Sequence, residues 1–395
     1  MASVETDVPA YVHGGIDILG GITGARERPK PATATAPRRL GAVTALLPAH
    51  NEEANLGAAI ASLTGQTEPP GRIVVIADNC TDDTEAIAVR LGVEVLRTRD
   101  NAYKKAGGLN QALDALLPGM LDDDLVLVMD ADSLLDPGFL EEARRTLGPS
   151  VGHVRGKPLG GVGGTFLGGP GGGLLGTFQR NEYARYARDV RRLKGRALVL
   201  TGTASVFPVH VLREVAAARR TGELPDQSGA GNVYDVHVLT EDNELSLALM
   251  HLGYAILAPR GCTLVTEVMT TWGDLARQRS RWKRGALENI VDYGLTPVTA
   301  SYWGRQVLSA VGLLATALYL GSLVWGVFAG MHLHPLWIAA SLGFCVERIV
   351  TVRRRGWRQM VLAAPLVIEM SYDLFLQAVQ AQAFTQAVLR SERKW

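Results

Sequence analysis

The chain has 395 residues, 47% of them hydrophobic and 20% charged, which is enough apolar material for a sizeable core and excludes a disordered protein. A formal net charge of +1 provides no basic excess, which argues against nucleic acid as the main partner. The three cysteines, Cys80, Cys262 and Cys345, lack the paired spacing of a zinc site or a disulfide framework, so a reducing, cytosolic catalytic region is expected.

Residues 1–40 are rich in Pro, Gly, Ala and Thr without an apolar period and read as a flexible N-terminal tail. No basic start leads into an apolar core, so neither a cleaved secretion signal nor a membrane helix is expected ahead of the catalytic region. From Ala42 onward, strands alternate with amphipathic segments: Val43 to Leu47, a helix from about Ala54 to Leu63, Ile73 to Ile76, a helix near Asp83 to Leu91, then Val93 to Leu96. This βαβ order predicts a parallel sheet. The first two strands end on Pro48-Ala49-His50-Asn51-Glu52 and Asp78-Asn79-Cys80-Thr81-Asp82. Taken alone, His50 reads as a helix-entry residue, and Asp82 and Asp83 as cap and first-turn acids.

The apolar run Leu125 to Met129 predicts a buried parallel strand that stops on Asp130-Ala131-Asp132. Ligands of open α/β sheets bind outside the carboxyl ends of the strands, so three polar strand ends are expected at one rim. Two carboxylates there suit a hard divalent cation, Mg²⁺ or Mn²⁺, of the kind that bridges protein acids to nucleotide phosphates. Asp122-Asp123-Asp124 has the same spacing but precedes the strand, and reads as a solvated loop.

Lys104-Lys105-Ala106-Gly107-Gly108-Leu109-Asn110 sets a cation beside glycines, which suits either a pyrophosphate or a plain surface lysine pair. Gly160 to Gly176 reads as a mobile loop, Phe178 to Lys194 as a charged helix, and Ala197 to Phe207 as a strand interrupted by Thr201 to Ser205. Thr240-Glu241-Asp242 opens a helix running through Met250, where Asp242 is a helix-terminus acid or a functional one. Gln278-Arg279-Ser280-Arg281-Trp282 lies in a basic segment from Arg277 to Arg284.

In this order, together with Gln179-Arg180-Asn181-Glu182-Tyr183, these landmarks resemble the family 2 inverting glycosyltransferases, the group of the cellulose, hyaluronan and poly-N-acetylglucosamine synthases. The resemblance covers roughly Val43 to Asn289. It implies an α/β GT-A type domain over residues 41–300, a UDP-sugar donor, and Mg²⁺ or Mn²⁺ held by Asp130 and Asp132. It also implies a general base at Asp242. Donor binding would fall to Pro48, His50, Glu52, Asp78, Lys105, Asp130, Gln278 and Arg281, and acceptor binding to Gly202, Thr203, Glu241 and Trp282. The acceptor would be a glycan, lipid or protein. The membrane helices that usually precede the domain in such synthases, and their Phe-x-Val-Thr gating segment, are not evident. Competing readings are a catalytically idle nucleotide-sugar scaffold and a nucleotidyltransferase, although the Gly-rich loop expected of the latter is replaced by Pro48 to Glu52.

Residues 301–395 read as a membrane region of two or three helices. Val307 to Gly330 is apolar, uncharged and long enough to span a bilayer. Leu336 to Val352 is shorter and carries Glu347 and Arg348, and Met360 to Leu389 is interrupted by Glu369 and Asp373. The arginines from Arg353 to Arg358 predict a cytosolic loop and, with it, a cytosolic catalytic domain, whereas Met331 to Pro335 is expected outside. The expected location is therefore the cell membrane, in multi-pass form, with a second copy or a channel partner completing any export path.

Overall fold

A computed structural model describes residues 40–148, 151–330 and 335–389. Most of the N-terminal tail, the loop 331–334 and the basic terminus 390–395, on which expectations were stated above, lie outside the described residues. The first half alternates as anticipated: β1 (Val43–Ala49), α1 (Leu56–Thr64), β2 (Arg72–Ala77), α2 (Thr84–Arg90), β3 (Glu94–Arg97), α3 (Lys104–Leu116) and β4 (Leu125–Met129). These four strands run parallel, with β4 and β2 flanking β1. Every residue of β4 is buried, as its uninterrupted apolar run requires.

Next come β5 (Leu134–Leu135), α4 (Phe139–Leu147), β6 (His153–Val154), β7 (Lys157–Gly163), β8 (Thr165–Gly168), α5 (Gly173–Arg192) and β9 (Ala204–Pro208). The main sheet has the order β10-β7-β9-β4-β1-β2-β3, where β10 is Ala255–Leu257. It is mixed, because β9 lies antiparallel to β4 in the register Met129↔Ala204. That direction brings the turn before β9 to the same rim as the end of β4. A small second sheet orders β5-β11-β8, with β11 at Thr263–Thr266.

The glycine-rich stretch expected to be a loop is instead β7, β8 and the start of α5. Its glycines make room for large neighbours: a Cβ on Gly160 would sit 2.7 Å from Tyr254 Cβ, and one on Gly161 2.8 Å from Phe207 Cδ1. The glycines after Lys105 are likewise helical, and a Cβ on Gly107 would strike Asn101 Oδ1. They serve close packing of α3 rather than a flexible phosphate loop.

The remaining helices are α6 (Val209–Arg220), α7 (Glu241–His251), α8 (Trp272–Asp292), α9 (Ala300–Ala329), α10 (Pro335–Val352), α11 (Trp357–Ala363) and α12 (Leu366–Val388). A buried ion pair, Arg219 to Glu244 at 2.6 Å, anchors α7, and the Tyr293 hydroxyl donates to the same carboxylate at 2.6 Å. Arg219→Leu leaves that carboxylate buried without its counterion and is expected to cost roughly 3–5 kcal/mol. Thermal melting of the detergent-solubilised chain reads this loss. Arg219→Leu with Glu244→Leu should recover much of it, and an unshifted melting point for the single variant would contradict the assignment.

Among the described residues, α9 is the one helix long and apolar enough to cross a bilayer, with mean hydropathy 2.0 and none of its apolar window buried. Leu318, Trp325 and Phe328 are 67%, 72% and 83% exposed, an arrangement that water does not favour. Glu369 and Asp373 prove to be counterions. Glu369 accepts from Asn181 and Arg185, each at 2.9 Å, and Asp373 pairs with Arg348, so α12 is tied to both α5 and α10. Tyr372, fully buried, stacks on Phe178 of α5 and donates to Glu182 at 2.6 Å.

Candidate active site

Three parallel strand ends meet where the sequence placed them. At the first two, Asn51 and Asn79 take left-handed backbone conformations, with φ of 58° and 49°, and turn the chain out of the sheet. His50 Nδ1 lies 2.6 Å from the Asp78 carbonyl, joining β1 to β2 just beyond Pro48. Buried Asp78 accepts from Thr98 Oγ1 and Asn101 Nδ2, both at 2.8 Å.

At the end of β4, Asp130 donates its backbone N–H to the Thr203 carbonyl at 3.2 Å, a bond that follows from the antiparallel pairing of β9. Thr203 is steadied in turn by its hydroxyl, 2.8 Å from that of Thr201. The Lys105 ammonium reaches across from α3 to Asp130 Oδ1 at 2.5 Å, the Gly202 carbonyl at 3.2 Å and Glu241 at 3.4 Å. Burial opposes its charge, but Asp130 and Glu241 outweigh burial and hold the pKa above the ordinary lysine value.

Asp242 sits in the first turn of α7, and that helix has no side-chain N-cap. Its Oδ2 accepts from Gly202 N at 2.8 Å and its Oδ1 from Asn243 N at 2.7 Å. Burial and the adjacent Glu241 push its pKa up to about 6, against the opposing pull of Lys105 and the two backbone donors. A carboxylate at that value can accept a proton near neutral pH. A cavity of about 10 Å³ behind Gly202 has barely room for one water, so reactants must approach from the rim.

The acids around β4 suit a cation. Burial first, then Asp130, Glu52 and Glu267, push the Asp132 carboxyl up to about 7, with the Ser133 hydroxyl opposing. A divalent ion would relieve that concentration of negative charge, and Asp130 and Asp132 are the oxygen donors at the strand end. Among the described residues no group of three or more His, Cys, Asp or Glu is placed to hold a metal by protein alone. Glu267, just past β11, belongs to none of the sequence motifs and reaches the site only through the fold.

The Gln278 to Trp282 motif lies on α8. Arg281 donates to the Leu239 carbonyl at 3.3 Å, beside the start of α7, and its charge is felt by Lys104. The Arg279 guanidinium lies over the Trp282 ring, 4.4 Å from its centre. Arg279 donates to Gln278 Oε1 at 2.5 Å and to Glu182 at 3.0 Å. The segment Gln179 to Tyr183 is thus a hub: Gln179 bridges to both backbone groups of Met269, and Glu182 holds Arg279 and Tyr372.

A family model described as "Glycosyltransferase like family 2" matches residues 37–285, well over half of the chain. The chain belongs to that family. Curated relatives include the poly-beta-1,6-N-acetyl-D-glucosamine synthase of Staphylococcus aureus, 24% identical over a 301-residue alignment that covers 71% of this chain and 65% of the relative. The enzyme of the same name from Staphylococcus epidermidis is 24% identical over 63% of this chain and 55% of its own length. The matched region of this family 2 member therefore spans just under two-thirds of the S. aureus relative. Among solved structures, a mannosyltransferase from Pyrobaculum calidifontis, captured with GDP-mannose and Mn²⁺, superposes with a TM-score of 0.57 at 17% identity, covering 92% of each chain. That likeness establishes a shared GT-A type α/β fold. The chain accordingly carries a family 2 glycosyltransferase-like domain over residues 37–285.

Proposed function

We propose that this family 2 glycosyltransferase moves a sugar from a UDP-sugar to a hydroxyl-bearing acceptor with inversion, dependent on Mg²⁺ or Mn²⁺ and anchored in the cell membrane by its C-terminal helices. The observation that carries the reading is the shared rim: Asp242, with its raised pKa, and the Asp130–Asp132 pair lie on either side of Lys105 and Gly202. Inversion needs a base on the acceptor face and positive charge on the leaving-group face. Asp242 takes the acceptor proton; Lys105 and Arg281 supply fixed positive charge toward the diphosphate. Asp130 and Asp132 would hold the cation, which when bound stabilises the departing diphosphate. Pro48, His50, Glu52, Asp78 and Gln278 line the donor side, and Gly202, Thr203, Glu241 and Trp282 the acceptor side. A side chain at position 202 would come 2.7 Å from Lys105 Nζ, so glycine keeps this approach open.

The division near residue 300 follows, with the catalytic domain over 41–300 and the membrane region over 301–395. With α9 as an anchor and Arg353 to Arg355 on the cytosolic side, His332→Cys should react with an impermeant thiol reagent applied to intact cells, and Arg354→Cys should not. The opposite labelling would reverse the orientation.

The reading extends to polymerisation of N-acetylglucosamine, supported by the curated relatives and by the intact Gln278, Arg281 and Trp282. A cavity of about 530 Å³ beside α8 presents polar groups such as Lys283, Tyr319 and Gln377 among apolar ones such as Leu320 and Leu376. A pulse of labelled UDP-N-acetylglucosamine followed by excess unlabelled acceptor tests this: long labelled chains are expected. Label spread over short products at every donor-to-acceptor ratio would contradict it.

A further inference from the structure

Away from the strand-end site, a cavity of about 470 Å³ opens where the C-terminal end of α5 meets the end of α10. Among the described residues, five arginines line it: Arg188, Arg191 and Arg192 from α5, Arg260 from the turn after β10, and Arg353 from the turn after α10, with Val350 and Thr351 completing the wall. No carboxylate among the described residues lines it. Among the described residues, Arg188 alone of the five has an acidic partner, Glu347 at 3.4 Å, and that carboxylate is 49% exposed.

A solvated basic helix end accounts for part of this, since Arg191 and Arg192 complement the negative C-terminal end of α5. It does not account for Arg260 and Arg353, which arrive from separate elements and face the same hollow. Like charges gathered round a concave surface repel one another, and the concavity focuses their field on whatever anion enters. The guanidinium fork matches phosphate oxygens two at a time, and a volume of this size holds a nucleotide or a lipid headgroup rather than a single small ion.

We infer that this arginine-lined cavity binds a phosphate-bearing polyanion, clamping the catalytic domain to the end of α10. The chemistry is shared by two sources. One is an anionic phospholipid headgroup, which the position at the end of a helix of the membrane region makes accessible; the other is a soluble phosphate compound. The site is separate from the donor site, and the inference does not depend on the activity proposed above.

Arg192 and Arg260 are exposed, so Arg192→Gln with Arg260→Gln removes two charges without disturbing the core. The full chain is reconstituted in phosphatidylcholine nanodiscs, and inorganic pyrophosphate is titrated by calorimetry without divalent cation, so that the cation-dependent diphosphate binding proposed for the active site is suppressed. In parallel, the phosphatidylglycerol retained by each protein after purification is counted by native mass spectrometry. For a soluble ligand, pyrophosphate binding should weaken about tenfold or more in the double variant. For a lipid ligand, the wild type should retain phosphatidylglycerol that the double variant loses. If the two proteins bind pyrophosphate alike and retain the same lipid, the inference is overturned.

Discussion

Asp242→Asn is expected to slow glycosyl transfer by roughly 10²- to 10⁴-fold while leaving donor binding close to that of the wild type. Asparagine keeps the shape, and its one side-chain oxygen can still accept from Gly202 N, which Asp242 holds at 2.8 Å, giving up the bond from Asn243 N, but it cannot take the acceptor proton. The start of α7 should therefore survive the change. The pH profile adds a test that a structural role would not pass. Burial raises the Asp242 pKa to about 6, so the base is protonated and inactive below that value. Turnover of the wild type should fall as pH drops through about 6 and level off above it. The residual activity of Asp242→Asn should lack that limb. Retention of more than about a tenth of wild-type turnover would reduce Asp242 to a helix-terminus acid.

The second large effect is expected at Asp132. Asp132→Ala removes one of the two carboxylates at the end of β4 and should weaken Mn²⁺-dependent binding of UDP together with catalysis. Loss of a ligand or of its support commonly costs about 10- to 100-fold in metal affinity. Asp124→Ala is the matched control, because Asp124 belongs to the same kind of Asp-x-Asp spacing but is occupied at the other end of the strand. Its carboxylate accepts from the backbone N–H of Ala42 at 2.9 Å and of Leu121 at 2.8 Å. Calorimetry with UDP, with and without Mn²⁺, separates the two variants. Equal losses would undo the argument that the strand end is what matters.

The contrast between these two aspartates shows what the sequence made legible. An uninterrupted apolar run from Leu125 to Met129 reads as a strand buried on both faces, and the polar residues after such a strand lie at its carboxyl end. Asp130, Asp132, His50 and Asp78 were thus readable from local pattern. The direction of β9 was not, because a strand's apolar pattern is the same whichever way it runs, and that direction is what carries Gly202 and Thr203 to Asp130. The glycines from Gly160 onward misled for a related reason. Composition reports missing side chains, but not that Tyr254, Leu200 and Phe207 fill the space they leave. Glu182 and Arg279, more than 90 residues apart in sequence, meet only through the packing of α5 on α8. Glu369 read as an interruption of an apolar segment, whereas its partners Asn181 and Arg185 lie in the catalytic region.

The most direct test of the central claim is nucleoside diphosphate release by the purified, detergent-solubilised full chain, incubated with a panel of UDP- and GDP-sugars in Mn²⁺ and again in excess chelator. The account predicts release from one or more UDP-sugars, N-acetylglucosamine foremost, lost on chelation and reduced by Asp242→Asn. Release undiminished by chelation, equal in Asp242→Asn, or confined to GDP-sugars would contradict it.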